Sequence, residues 1–105
     1  MKTVYGKLVR DKIPEIIIRN GEIPKTTVLE NEDFFLELNK KLQEEVTEYL
    51  EDYDIEELAD IVEVIFALVK HKGVSAKDFE MLRMKKYEER GGFDKKICLV
   101  EVERG

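Results

Sequence analysis

Two groups of acidic residues, each with members one helical turn apart, are the part of this sequence best suited to chemistry. Glu45 and Glu48 form one group, and Glu57 and Asp60 form the other. Both groups lie in segments with helical periodicity, where residues three apart share a face. Like charges at that spacing repel each other and destabilise a fold. A hard divalent cation removes the repulsion, and carboxylate ligands without histidine or cysteine favour Mg²⁺, with Mn²⁺ as a substitute.

The first acidic group lies in an amphipathic helix predicted over residues 32–50. Its apolar side chains recur at steps of three and four residues: Phe35, Leu38, Leu42, Val46 and Tyr49. At 3.6 residues per turn, Glu45 falls at the edge of this apolar stripe and Glu48 slightly further round. We therefore expect Glu45 and Glu48 to face a partner helix, and Glu44 to point to nearly the opposite side, into solvent.

The second acidic group lies in a helix predicted to follow Asp54, as its N-cap, and to end at Lys72. This helix is apolar around most of its circumference, which is typical of a helix in the centre of a bundle or at an oligomer interface. Its polar residues form one narrow stripe: Glu56, Glu57, Asp60 and Glu63. Acids on the only polar stripe of a buried helix need a counter-ion. An alternative role for Glu57 is a capping box with Asp54.

The remaining pattern predicts an all-α fold, a helical bundle of about four helices with a small two-stranded β appendage, in a single domain over residues 1–105. Short helices are predicted over residues 12–19 and 76–90, and strands over residues 26–29 and 96–103. The short connection after Leu50 makes the two acidic helices antiparallel, so that the four carboxylates can face one another.

Charge and hydropathy narrow the class of protein. The formal net charge of −6 argues against nucleic-acid binding, which requires a basic surface. Residues 1–10 contain no apolar run typical of a signal peptide, and no apolar stretch is long enough to cross a bilayer, so we expect no membrane association and a cytoplasmic protein.

Basic residues suited to phosphate binding occur near both ends of the chain. Lys7 and Arg10 lie near the start, and Lys86 and Arg90 lie on the last predicted helix. Arg90 precedes two glycines and Phe93, which places a bidentate donor beside flexible backbone and an aromatic ring. Together with a metal ion, these side chains can neutralise a small polyanionic ligand.

The motif EExxE at residues 44–48, followed by ExxD at residues 57–60, resembles the signature of MazG-like, all-α nucleoside triphosphate pyrophosphohydrolases. The opening KLVRDKIP (residues 7–14) and the RGGF at residues 90–93 are similar to a branch described as phosphoribosyl-ATP pyrophosphohydrolase-like. The gap between the two acidic motifs is shorter here than is usual in the MazG group.

This resemblance implies hydrolysis of a nucleoside triphosphate to the monophosphate and pyrophosphate, in the housekeeping of non-canonical nucleotides. It implies a homodimer or larger homo-oligomer and a site composed of the residues already singled out. The implied Mg²⁺ ligands are Glu45, Glu48, Glu57 and Asp60, and Lys86 and Arg90 match the family's phosphate-contacting element. Lys7 and Arg10, from the charge pattern, complete the expected phosphate contacts, and the expected catalytic residues are Glu44, Glu45 and Glu48. A carboxylate that the metal does not engage can act as the general base.

Two other functions are compatible with parts of the pattern, and a third is close to excluded. One is phosphoribosyl-ATP hydrolysis in histidine biosynthesis, with the same reaction and metal. A second is a non-catalytic helical interaction module, whose acids form salt bridges with Lys40, Lys41 or Lys70. A di-iron carboxylate site would use Glu-x-x-His pairs. The only histidine, His71, has no such partner and is expected at the surface of a helix end.

Overall fold

Four α-helices and no β-strands make up the fold in the computed structural model, which describes all residues from 1 to 105. Their bounds are α1 (Ile13–Arg19), α2 (Asn31–Asp52), α3 (Ile55–His71) and α4 (Ala76–Arg90). The all-α prediction is confirmed, and every helix boundary lies within two residues of its predicted position.

Capping residues explain why the helices begin where they do. The Asp54 carboxylate accepts a hydrogen bond from the backbone N–H of Glu56 at the start of α3, at 3.1 Å. Ser75 Oγ accepts one from the N–H of Asp78 at the start of α4, also at 3.1 Å. Each bond satisfies a donor that the first helical turn leaves without a partner.

Helices α2 and α3 form an antiparallel hairpin with only Tyr53 and Asp54 between them. Tyr53 has a left-handed backbone conformation, with φ of 55°, and its N–H donates to the carbonyl of Tyr49. The rings of the two tyrosines meet edge to face, with centroids 5.9 Å apart. This connection places the last turns of α2 beside the first turns of α3, which are the turns that carry the two acidic groups.

The apolar core of the hairpin is small. Leu38 on α2 and Val64 on α3 are the only buried apolar residues. At the end of the hairpin away from Tyr53, the His71 ring stacks on Phe35, with centroids 5.1 Å apart, and meets Phe34 edge to face. His71 lies at the end of α3 as expected, but it is less exposed than a surface position implies, because the half-buried imidazole covers apolar surface that α2 presents there.

The predicted two-stranded β appendage is wrong. Residues 26–29 and 96–103 contain no strand, and no backbone hydrogen bond joins one segment to the other. A pair of short strands is stable only when one of its faces packs against another layer. Val28, Leu99 and Val100 are almost fully exposed, so the chain offers these segments no such layer.

Helices α1 and α4 make few or no contacts with the α2–α3 hairpin of the same chain. Helix α1 contacts no other helix, and α4 contacts α3 but not α2. Of the residues on α4, only Phe79 is half-buried and the rest are exposed. The chain is 66 Å long, whereas the 22 residues of α2 span about 33 Å. The four helices of the chain therefore do not close into a compact bundle. No helix combines the length and the apolar character needed to cross a membrane.

Replacing Leu38 with alanine should destabilise the hairpin by about 2–4 kcal/mol, because the substitution leaves a cavity in a core of very few residues. Leu36 provides a matched control on the same helix, since it is 57% exposed and Leu38 is 4% exposed. Urea denaturation followed by circular dichroism measures both variants. Equal losses of stability in Leu38→Ala and Leu36→Ala would contradict this description of the core.

Candidate metal site

The hairpin brings together three acidic side chains from two helices. Glu45 on α2 and Glu57 and Asp60 on α3 each offer a carboxylate oxygen, and these three oxygens lie within 4.8 Å of one another. Glu48 lies close by, since its charge acts on both Glu45 and Glu57. The sequence predicted that these four acids face one another, and the structure places them at the closed end of the hairpin.

Glu45 is the most unusual member of this cluster. It is only 7% exposed, and its Oε2 atom is buried without a hydrogen-bond partner. The other oxygen, Oε1, lies 3.5 Å from Lys41 Nζ and forms an ion pair with it. A buried carboxylate oxygen without a partner is costly for a fold. While Glu45 is ionised, no donor or cation of the chain bonds to Oε2, and either a proton shared with Glu48 or a bound cation would satisfy it.

Burial and like charges raise the pKa of two of the acids. For Glu45 the largest cause is desolvation, followed by the negative charge of Glu48, and Lys41 offsets only part of the effect. For the half-buried Glu57 the cause is again desolvation first, and then the charges of Glu48 and Asp60. A raised carboxyl pKa means that the surroundings destabilise the ionised form, and a bound cation would stabilise it.

The side chain of Glu57 takes no part in capping α3. The Asp54 carboxylate accepts from the N–H of Glu56, and the Glu57 carboxylate accepts no bond from the Asp54 backbone N–H. The capping-box alternative for Glu57 is therefore wrong. Its carboxylate is free to join the cluster with Glu45 and Asp60.

Two basic residues that precede α1 bind directly to acids of the hairpin. Lys7 Nζ donates to Glu44 Oε1 at 2.9 Å, and an Arg10 guanidinium nitrogen donates to Asp60 Oδ1 at 2.7 Å. Lys41 adds a second cation beside Glu44, at 3.5 Å. These contacts keep the pKa of Glu44 below its usual range, the hydrogen bond from Lys7 being the largest cause.

The expectation that Glu44 points into solvent is only half right. Glu44 does lie outside the Glu45, Glu57 and Asp60 cluster, but it is half-buried and Lys7 binds it. Residues 1–12 have no helical or strand periodicity, so the sequence does not show where they pass over the hairpin. The only signal that could have located them is the matching of two cations to two acids.

Lys86 and Arg90 are not brought to the acidic cluster. Both are exposed on α4 and form no ion pair. Because α4 does not contact α2, one chain offers no route from these two side chains to Glu45 or Glu48. Glu63, the last acid of the polar stripe, is exposed and lies outside the cluster.

The donor set fits Mg²⁺ or Mn²⁺. All the candidate ligand atoms are carboxylate oxygens, which hard divalent cations prefer. The one histidine packs against Phe35 at the other end of α3, so no nitrogen ligand suited to zinc or copper is near. Glu45, Glu57 and Asp60 would hold such an ion, and the unpartnered Glu45 Oε2 is the atom with the strongest need for it.

Comparison of the chain with known protein families, with curated proteins and with solved structures finds no match in any of the three. The family resemblance therefore rests on the motifs alone and stays a prediction. The function has to be inferred from the acidic cluster and its cations.

Replacing Glu45 with glutamine should stabilise the metal-free protein at about pH 7. The variant removes a buried charge without changing the shape of the side chain, and its amide can donate to a neighbouring carboxylate. We expect a gain of about 1 kcal/mol, or roughly 4–8 °C in Tm. Glu63→Gln is the matched control, because it removes the same charge from the exposed part of the stripe. Thermal denaturation with EDTA measures both.

This gain should shrink as the pH falls. A folded-state pKa above the unfolded one means that protonation favours folding, so wild-type protein recovers the lost stability as the pH drops through the raised pKa of Glu45 toward the ordinary value near 4.5. Glu44 acts in the opposite sense, since its pKa is lowered and its stabilising contribution is lost only at lower pH. A gain independent of pH would contradict the assignment.

Proposed function

We propose that this chain is a Mg²⁺-dependent nucleoside triphosphate pyrophosphohydrolase, which converts the triphosphate to the monophosphate and pyrophosphate. The observation that carries the proposal is the buried Glu45 carboxylate, with one oxygen unpartnered, facing acids of a second helix. The motifs EExxE and ExxD, which resemble those of the MazG-like enzymes, lie at this place in the hairpin. Cytoplasmic housekeeping of non-canonical nucleotides is the corresponding role.

In this proposal three of the acids bind the metal and a fourth acts as the general base. Glu45, Glu57 and Asp60 hold the metal, which when bound neutralises phosphate oxygens and acidifies water. Glu48 lies beside Glu45 and Glu57 but is not one of the three clustered ligands, so its carboxylate is the general base. Glu44 is less suited to that role, because its lowered pKa makes it a weaker base.

The bond changes follow from this division. Water gives a proton to Glu48 while its oxygen bonds to the α-phosphorus. The bond from that phosphorus to the oxygen bridging to the β-phosphate breaks, and its electron pair leaves with pyrophosphate. Cationic side chains then stabilise charge on the leaving group, for which Lys7 and Arg10 are the residues nearest the acids.

We further propose that the active form is a homodimer or a larger homo-oligomer. The chain buries only two apolar residues by itself, whereas Val62 and Phe66 on α3 and Met81 and Leu82 on α4 remain largely exposed. Exposed apolar surface of this kind marks an interface. A second copy of the chain is the occupant, because it also brings the cations of α4 to acids that they cannot reach within their own chain.

One observation favours the rival function, a non-catalytic interaction module. Lys41 lies 3.5 Å from both Glu44 and Glu45, as that function predicts. Lys40 pairs with Glu37 instead, and Lys70 pairs with no acid. Lys41 leaves Glu45 Oε2 without a partner, so the salt bridges do not account for the cluster. A module of this kind would show no dependence of stability on divalent ions.

Glu48→Gln and Asp60→Asn should each reduce turnover by at least about a thousandfold while far-ultraviolet circular dichroism stays close to wild type. Glu63→Gln should retain activity, since it removes one carboxylate from the same helix outside the cluster. The assay is pyrophosphate release from canonical and damaged nucleoside triphosphates and from phosphoribosyl-ATP, with Mg²⁺ or with EDTA. The preferred compound in this panel decides between nucleotide housekeeping and the histidine-biosynthesis alternative.

Two results would reject the enzymatic proposal. Wild-type activity in either cluster variant would remove the site. Absence of release from every compound, together with no Mg²⁺-induced rise in Tm, would instead favour the interaction module.

Mixing two inactive variants tests the composite site. If Lys86 and Arg90 reach the acids of the partner subunit, a heterodimer of Glu48→Gln and Arg90→Ala contains one site with both substitutions and one intact site. Random exchange of subunits should then restore about a quarter of wild-type activity. The control is a mixture of Glu48→Gln with Asp60→Asn, whose substitutions lie in the same half-site. No recovery in the first mixture would place Arg90 in its own chain's site, and wild-type activity of Arg90→Ala alone would place it outside any site.

A further inference from the structure

The segment before α1 crosses the acidic cluster and binds it by charge. We propose that this N-terminal arm, residues 1–12, is an internal counter-ion that a divalent metal displaces. On displacement, Arg10 leaves Asp60 and becomes available to a phosphate group of the ligand. The inference rests on the proposed metal site and assigns to the arm a role in the order of binding: metal first, then phosphate.

The arm is attached mainly through two ion pairs. Lys7 binds Glu44 and Arg10 binds Asp60, one acid on each helix of the hairpin. Both basic side chains remain more than half exposed, at 54% and 57%. Ion pairs in such surroundings contribute little net stability, because water and salt screen them. They can therefore be exchanged for a stronger cation.

Little else holds the arm in place. No backbone hydrogen bond involves residues 1–9, and Leu8 is the only residue of the arm that is half-buried. Helix α1, which follows the arm, contacts no other helix. Gly6 has a φ of +59°, a conformation that glycine adopts without strain, immediately before Lys7. The arm can thus leave the hairpin without disturbing the contacts between α2 and α3.

Arg10 and a metal ion compete for one carboxylate. Asp60 is both the partner of Arg10 and one of the three acids whose oxygens lie within 4.8 Å of one another. A divalent cation on that oxygen cluster would repel the guanidinium and compete with it for the Asp60 carboxylate. The freed guanidinium stays tethered beside the site, and its planar pair of donors suits phosphate oxygens.

The opposite arrangement makes a different prediction. If Arg10 instead preorganises Asp60 for the metal, removing Arg10 should weaken metal binding. If Arg10 competes with the metal, removing it should strengthen binding. The sign of the change in metal affinity separates the two, and it needs no measurement of catalysis.

The experiment is a Mn²⁺ titration of the full chain, with free Mn²⁺ measured by electron paramagnetic resonance. Wild-type protein is compared with Arg10→Gln and with Lys12→Gln. Lys12 is the matched control, because it is exposed, forms no ion pair and loses the same charge from the same arm. We expect Arg10→Gln to bind Mn²⁺ about two- to fivefold more tightly than Lys12→Gln, the range expected for loss of a competing surface ion pair.

Equal or weaker binding in Arg10→Gln would overturn the proposal while leaving the metal site intact. No Mn²⁺ binding by wild-type protein would reject the metal site itself, and the arm's role with it. Release of the arm can also be followed by trypsin cleavage after Lys7 and Arg10, detected by mass spectrometry. Cleavage should accelerate when Mg²⁺ is added, whereas cleavage after Lys95 in the exposed tail should not change, and an unchanged rate at both places would contradict release.

Discussion

Repulsion between carboxylates that the hairpin forces together is the constraint on which the rest of this structure depends. Because only two residues connect the helices, the end of α2 must lie beside the start of α3. Glu45 therefore meets Glu57 and Asp60 in a partly dehydrated space, where like charges repel more strongly than in water. Lys41 on α2 and Lys7 and Arg10 on the N-terminal arm form ion pairs with acids of the hairpin. None of these cations contacts Glu45 Oε2. The repulsion destabilises the metal-free fold, and a metal ion bound between the carboxylates would reverse that effect.

The same chain is also short of apolar contacts. The hairpin buries only Leu38 and Val64, and almost every residue of α4 is exposed. Because α4 does not contact α2, its basic side chains do not reach Glu45 or Glu48. A single proposed arrangement would supply both the missing apolar contacts and the missing cations at the acidic cluster. A second copy of the chain would cover the apolar faces of α3 and α4 and would add Lys86 and Arg90 to the acidic cluster. Assembly and completion of the site would then be the same event, and the isolated chain would be a poor guide to activity.

Local signals in the sequence are enough to predict the helices and most of the acidic cluster. Asp54 and Ser75 mark helix starts through bonds to nearby backbone, and the 3.6-residue period places Glu45 and Glu48 on the side of α2 that faces α3. What failed depends on contacts between distant parts of the chain. The strands predicted at residues 26–29 and 96–103 have suitable side chains but no layer to pack against. The stacking of His71 on Phe35 is not predicted, because it joins the start of α2 to the end of α3 at the open end of the hairpin, and no local pattern encodes that contact.

Glu44 and Glu45 show how neighbouring residues of one type acquire different roles. They differ by one position on the helix, or about 100° of rotation. That rotation directs Glu44 toward Lys7 and Lys41, which lower its pKa, and directs Glu45 toward Glu57 and Asp60, where burial and like charge raise it. Glu44 is therefore already neutralised and holds the arm, whereas Glu45 retains its need for a cation. The motif EExxE thus combines an anchor for the arm with the buried acid that is proposed to bind a metal, and because the arm also binds Asp60, one segment connects the anchor to the acidic cluster.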